Sequence, residues 1–279
     1  MNAQCKSTPS RVSAAHYPVN RRPSSSPRPR FIASHAANTS TTQSSIDRFF
    51  EQGSEGEARQ ELFSTISPVY DELNDQFSFG MHRIWKRMTV KWSGASPGCQ
   101  ALDVCCGSGD LALLLADAVA PSGAVVGLDF SAAMLRDAAT RDQSIQWVQG
   151  DAMDLPFADN SFDACTMGYG LRNVSDIPTA LRELHRVLRP GCRAAILDFN
   201  NSDDQVVDGI QAWFLENVVV PAADARGVGD EYRYIRPSIK QFPRGREQEQ
   251  LALDVGFVRA RHYEIGFGAM GVLVVLKDG

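Results

Sequence analysis

From residue 100 onward the chain repeats one pattern: a short apolar run, a turn, and then a segment whose apolar positions recur at helical spacing. Ala101–Val104 reads as a buried strand and Asp110–Val119 as the helix after it. Ala124–Leu128 follows the turn Pro121-Ser122-Gly123, and Ser131–Ala139 is predicted as a helix with Ser131 as its N-cap. Ile145–Gln149 and Phe162–Met167 read as short strands. In the helix predicted over Asp176–Leu188, Ile177, Ala180, Leu181, Leu184, Val187 and Leu188 form one stripe, and Pro190-Gly191 stops it before a strand at Arg193–Phe199. Strands alternating with helices bury both faces only as a parallel sheet covered on two sides, so the expected fold class is α/β, doubly wound.

The C-terminal third is expected to hold a helix over Gln205–Val220, a polar Arg/Tyr/Pro-rich loop, and a helix Glu247–Asp254 ending at Gly256. Two last strands, Val258–Ile265 and Met270–Leu276, flank a Gly-rich turn and predict an antiparallel edge. A helical region near Ala58–Trp92, interrupted by Pro68, precedes the alternation.

Charge divides the chain further. Residues 1–46 carry six basic residues and no acidic one, whereas the rest carries all 33 acids, 22 basic residues and a net charge of −11. The leader also holds ten Ser, four Thr, five Pro and no Leu, so it cannot offset its ordering entropy by burial and is expected to be disordered. Basic, Ser-rich, acid-free composition is that of a transit peptide, and the prolines oppose the amphipathic helix of a mitochondrial leader. The chloroplast is the expected address, with the mitochondrion as the alternative. The domain reading is therefore 1–46 transit peptide, 47–98 N-terminal helical lid and 99–279 α/β domain.

Other classes drop out. No apolar run is long enough for a membrane-spanning helix. The acidic body argues against nucleic acid as the main ligand. The six cysteines form no C-x-x-C pair or zinc spacing, and no metal is expected.

The segment Leu102-Asp103-Val104-Cys105-Cys106-Gly107-Ser108-Gly109-Asp110 joins the first strand to the first helix. Its glycines permit a tight turn and close approach to a ligand. Alone, Gly107-x-Gly109-x-x-Ala112 with Asp129 twenty residues on also fits a dinucleotide fingerprint, which keeps an NAD-binding dehydrogenase open. Asp103 ahead of the glycines is of no use to a pyrophosphate but suits a cationic sulfonium cofactor with an amino-acid tail. Asp129 at the end of the second strand can accept hydrogen bonds from both ribose hydroxyls. Asp151-Ala152 after the third strand is placed for an adenine edge. Acids at three successive strand ends form the arrangement of S-adenosylmethionine methyltransferases.

The chain from about Arg59 resembles the ubiquinone/menaquinone C-methyltransferase family. Tyr70-Asp71-Glu72-Leu73-Asn74 with Ser78, His82 and Trp85 is similar to its first signature. Tyr169-Gly170-Leu171-Arg172-Asn173 is similar to its FGLRN-type segment, and Arg186–Cys192 through Leu197-Asp198-Phe199 to its second signature. Arg189, Cys192 and Asn200 depart from that last block, as Leu73 does from the first. The resemblance implies a class I Rossmann-like methyltransferase fold with S-adenosyl-L-methionine as cofactor. It implies cofactor contacts at Asp103, Gly107, Ser108, Gly109, Asp129, Phe130, Asp151, Ala152 and Gly168. The Cys-Cys-Gly-Ser-Gly turn and the tail Ala260–Glu264 are similar to the cyanobacterial and plant branch, which methylates a phytylated naphthoquinol (2-phytyl-1,4-naphthoquinol). A ubiquinone intermediate is the alternative acceptor.

Methylation at carbon then needs an ionised quinol and a dry, well-aligned site. Arg172 and Asn173 follow the fourth strand, where Arg172 would stabilise quinolate or orient a water; it cannot itself be a base. Tyr70, with Asn74 and His82 on the lid, would reach the second ring oxygen, although His82 reads more simply as a packing histidine. The prenyl tail is expected between the lid and Ile210, Trp213, Phe214 and Val218, with peripheral membrane contact there.

Overall fold

The computed structural model describes residues 77, 78 and 80–279. The leader at 1–46 and lid residues 47–76 lie outside the described residues. The helices are α1 (Met81–Ser93), α2 (Asp110–Val119), α3 (Ala132–Arg141), α4 (Ile177–Val187), α5 (Gln205–Phe214), α6 (Val220–Asp224), α7 (Gly229–Arg233), α8 (Ile235–Gln241) and α9 (Gly245–Asp254). The strands are β1 (Gln100–Val104), β2 (Ala124–Asp129), β3 (Gln146–Gln149), β4 (Phe162–Gly168), β5 (Leu188–Phe199), β6 (Arg259–Ile265) and β7 (Met270–Leu276).

They form one sheet in the order β3-β2-β1-β4-β5-β7-β6. The first five strands pair in parallel, and β7 runs antiparallel to both neighbours. The antiparallel strand therefore sits one place inside the edge, and β6 is outermost. Composition explains the order. Met-Gly-Val-Leu-Val-Val-Leu is apolar throughout and takes the buried place, whereas Arg-Ala-Arg-His-Tyr-Glu-Ile is mostly polar and tolerates the edge. Chain direction across the sheet reverses between β1 and β4, and the crevice at that switch point is where ligands enter such sheets.

Local boundaries follow the sequence closely at α2 and α3, and Ser131 Oγ accepts from Met134 N–H as an N-cap. At α4 the stripe Ala180, Leu181, Leu184 and Val187 is wholly buried. Each such leucine contributes about 1.5–3 kcal/mol by leaving water. The helix stops at Val187 rather than Leu188, because Leu188 already pairs with Phe162. Pro190-Gly191 then lies within β5, absorbed by a register shift between Phe162 and Ala164. Lys277 Nζ donates to the carbonyls of His185 and Leu188, both at 2.8 Å, placing a cation at the negative end of α4.

Two stretches differ from expectation. The helix expected to end near Val220 continues through one wide turn, Leu215–Val219, into α6 as far as Asp224. That turn directly precedes Pro221, which has no N–H to continue the α-ladder. The polar region expected as a loop holds α7 and α8, with Tyr232, Tyr234 and Ile239 buried against Met134, Leu215 and Val219. Arginines and Pro237 hide the apolar spacing there, yet Pro237 falls in the first turn of α8, where a missing N–H costs nothing.

Candidate active site

At the end of β1 the chain enters the glycine turn through three left-handed residues, Cys105 (φ 56°), Gly107 (φ 53°) and Gly109 (φ 93°). Asp129 holds this turn in place. Its Oδ2 accepts the Gly107 N–H at 2.9 Å and its Oδ1 the Ser131 N–H at 2.8 Å, so one carboxylate ties the β1–α2 turn to the β2–α3 turn. Burial nevertheless pushes that carboxyl up, against the pull of those backbone donors. Nothing lies within 4 Å of where a Gly107 Cβ would stand, and the turn opens there into a cleft.

The cleft, of about 530 Å³, is lined by Asp103, Gly107, Ser108, Asp129, Phe130, Asp151, Ala152 and Gly168, eight of the nine residues assigned to the cofactor. Gly109 is not among the lining residues. It is the N-cap of α2, and a Cβ on it would stand 2.7 Å from the Trp147 ring, so its smallness serves packing behind the turn. Gly168 is small for a similar reason, since a Cβ would meet Leu111 Cδ1 at 2.7 Å. Asp151 is exposed at the rim, its Oδ1 accepting the Met153 N–H at 2.9 Å.

Asp103 is fully buried. Its Oδ1 accepts the Thr166 hydroxyl at 2.7 Å, while Oδ2 has no hydrogen-bond partner among the described residues. Burial raises this carboxyl to about 7, with the Thr166 hydroxyl, the Ala112 backbone N–H and Lys86 opposing. Lys86 is a lining residue that the sequence reading missed. It reaches from α1 to Asp110 Oδ2 at 2.5 Å, while Arg141 holds Oδ1 at 2.7 Å. Burial alone would raise Asp110, but the two cations outweigh it and hold it below its ordinary value.

Beside the cleft lies a second cavity of about 340 Å³, walled by Trp85, Phe199, Ile210, Phe214, Tyr232 and Met270. The two share Tyr169 and Asn173 as lining residues. Tyr169 has φ 57°, and Gly170 beside it would place a Cβ 2.5 Å from that of Cys105, so this junction depends on a missing side chain. Asn173 Nδ2 donates to the Tyr169 carbonyl at 2.8 Å, and its Oδ1 accepts from Arg172 Nη1 at 3.1 Å and from Tyr234 Oη at 3.3 Å.

Arg172 lines only the apolar cavity. Its backbone N–H donates to Asp198 Oδ2 at 3.0 Å, its Nε stands 3.6 Å from Asp198 Oδ1, and its guanidinium carbon lies 5.3 Å from the centre of the Phe199 ring. Burial raises the Asp198 carboxyl, and Arg172 opposes that rise. His82, read from sequence as packing, is on the wall of this cavity, its Nδ1 2.6 Å from Ser78 Oγ. Tyr70 and Asn74 lie outside the described residues.

Comparison with known proteins matches residues 51–277 to the model of the ubiE/COQ5 methyltransferase family. The chain belongs to that family. Among relatives of this methyltransferase, one from Nostoc sp., named 2-phytyl-1,4-naphtoquinone methyltransferase, is 56% identical across 77% of this chain and 97% of its own. The Arabidopsis thaliana protein named 2-phytyl-1,4-beta-naphthoquinone methyltransferase, chloroplastic, is 52% identical across 78% of this chain and 87% of its own. Its fold is that of S-adenosylmethionine-dependent methyltransferases. A SAM-dependent methyltransferase from Thermotoga maritima superposes with TM-score 0.55 at 19% identity, covering 78% of this chain and 99% of its own. One from Aquifex aeolicus gives 0.52 at 19%, covering 68% and 88%.

The titration of Asp103 has a measurable consequence for the ligand-free methyltransferase. The folded state holds this proton up to about pH 7, whereas an ordinary aspartate releases it near 3.8. Stability from this residue is therefore lost as pH rises through that window and is level above it. Urea unfolding across the window should show the stability of wild type relative to Asp103→Asn falling with pH. Parallel profiles would refute the shift.

Proposed function

We propose that this methyltransferase transfers a methyl group to the open ring carbon of 2-phytyl-1,4-naphthoquinol, the methylation step in making phylloquinone. The observation that carries the reading is the junction of the cofactor cleft with an apolar cavity at Tyr169 and Asn173. The names of relatives 52–56% identical supply the acceptor. A polar donor site opening onto an apolar acceptor site suits a lipophilic quinol.

The methyl donor is S-adenosylmethionine, and the cleft fits it. The unpartnered Asp103 Oδ2 offers an acceptor to its ammonium group. Gly107 leaves room for close approach, Asp129 keeps lone pairs for the ribose hydroxyls, and Asp151 and Ala152 stand at the far end for adenine. When bound, the donor supplies an electrophilic methyl group on a sulfonium. The chain's own part is to align the ring carbon, exclude water and favour the ionised quinol. Arg172 faces the cavity with its charge incompletely matched by Asp198, and stabilises a quinolate oxygen there. Asn173, at the junction, fixes the guanidinium and helps to orient the ring.

Purified protein incubated with S-adenosylmethionine and 2-phytyl-1,4-naphthoquinol should yield the ring-methylated product, and demethylated ubiquinol intermediates should react far more slowly. Arg172→Ala should lower kcat by roughly 10²–10³-fold, as loss of a preorganised electrostatic contact does. Turnover of the ubiquinol intermediate alone would reassign the acceptor.

A membrane-resident substrate fits the outer face of α5. Val206, Ile210 and Trp213, spaced at four and three residues, are exposed, and Phe267 is fully exposed at the β6–β7 turn. Ile210 and Phe267 also line the cavity, so this surface borders the acceptor site. The protein should float with phosphatidylcholine vesicles carrying the quinone, and Trp213→Ala with Phe267→Ala should weaken this; recovery only in the soluble fraction rejects membrane contact. The acid-free leader and the chloroplastic Arabidopsis relative support plastid import. Residues 1–46 fused to a fluorescent protein should enter plastids, and a cytosolic or mitochondrial fusion would overturn that address.

A further inference from the structure

The quinol must lose a hydroxyl proton before its ring carbon becomes a strong nucleophile, and Arg172 cannot take it. The wall of the apolar cavity carries a pair that can. Ser78 and His82 both line the cavity, and Ser78 Oγ, from the segment just before α1, stands 2.6 Å from His82 Nδ1 in its first turn. His82 is 6% exposed, so its ring sits in a dry site with one edge fixed by the serine. Histidine ionises near neutrality, which suits proton transfer at working pH.

We propose that Ser78 and His82 form the proton relay that ionises the quinol, an inference that rests on the quinol reading above. The hydroxyl next to the open ring carbon gives its proton to Ser78 Oγ as the Ser78 proton passes to His82 Nδ1. The ring carbon then bonds to the methyl carbon while the sulfur–methyl bond breaks, its electron pair remaining on sulfur. Loss of the ring carbon's own proton to solvent restores aromaticity, and His82 returns its proton through Ser78 to the ring oxygen. The net change is one methyl gained, one ring proton released.

Other charged and titratable groups surround the relay. Arg172, Glu231, Tyr232 and Tyr234 line the same cavity, Asp198 lies behind Arg172, and Lys86, one turn along α1, is held by Asp110. Glu231 is the rival base. It is half-buried and no described hydrogen bond orients it, whereas the serine fixes His82.

The test is the pH dependence of kcat with 2-phytyl-1,4-naphthoquinol, alongside calorimetric binding of S-adenosylhomocysteine. In wild type, kcat should rise with pH and level off once the histidine is neutral. His82→Gln should lower kcat by about 10²–10⁴-fold near neutrality, the range for a lost general base, with homocysteine-adduct affinity within about twofold. Its rate should climb without levelling as the hydroxyl ionises unaided at high pH. Ser78→Ala, a milder change should the histidine variant not fold, cuts the same path and should lower kcat and abolish the levelling as His82→Gln does. A His82→Gln enzyme with the wild-type profile overturns the relay, as does a levelling lost in Glu231→Gln but kept in His82→Gln. Equal loss of cofactor binding and kcat would make His82 structural and also overturn it. Absence of any wild-type turnover on the quinol would instead reject the acceptor.

Discussion

Asp129 carries an unusual share of the architecture. Its two oxygens hold the Gly107 and Ser131 N–H groups, so the first two crossovers of the sheet share one anchor at the level where ligands enter. A buried carboxylate is costly unless its lone pairs are satisfied, and here two backbone donors do most of that. The left-handed turn at Cys105, Gly107 and Gly109, the empty space above Gly107 and the start of α3 all follow from that bridge.

The same economy governs the acids around it. Asp103 keeps one oxygen unsatisfied in a dry site, which leaves it a raised affinity for either a proton or a cation. Asp110, the first residue of α2, is paired twice and does neither. Two aspartates in one cleft are thus set to opposite tasks by burial and by neighbours. Beyond them Tyr169 and Asn173 line both the acid-bearing cleft and the apolar cavity, so the two spaces meet at these residues.

Much of this was legible in residue order, because periodicity and glycine turns are local signals. The α2 boundaries, the Ser131 cap and the acids at strand ends depend on a few adjacent residues, and all stand where the pattern puts them. What was illegible depends on distant chain. Nothing next to Gly109 announces that Trp147 fills the space behind it, and nothing next to Lys86 announces Asp110 across the cleft. For Arg172 the sequence allows a salt bridge to a neighbouring carboxylate but does not say which; it is Asp198, on the next strand. The helices α7 and α8 were hidden because their apolar residues are interleaved with arginines that pair outward to Asp208, Asp224 and Asp230.

The place of β7 sets the order in which the molecule can be finished. It is the last strand in chain order, yet it fills the gap between β5 and β6, and among the described residues β6 pairs with no other strand. Until residues 270–276 arrive, β5 presents an open ladder and β6 has nothing to join. Val272, Leu273 and Val275, all buried, close that gap together. In chain order the five parallel strands are therefore all in place before the antiparallel strand that joins β6 to them. Closing the sheet must wait for residues 270–276.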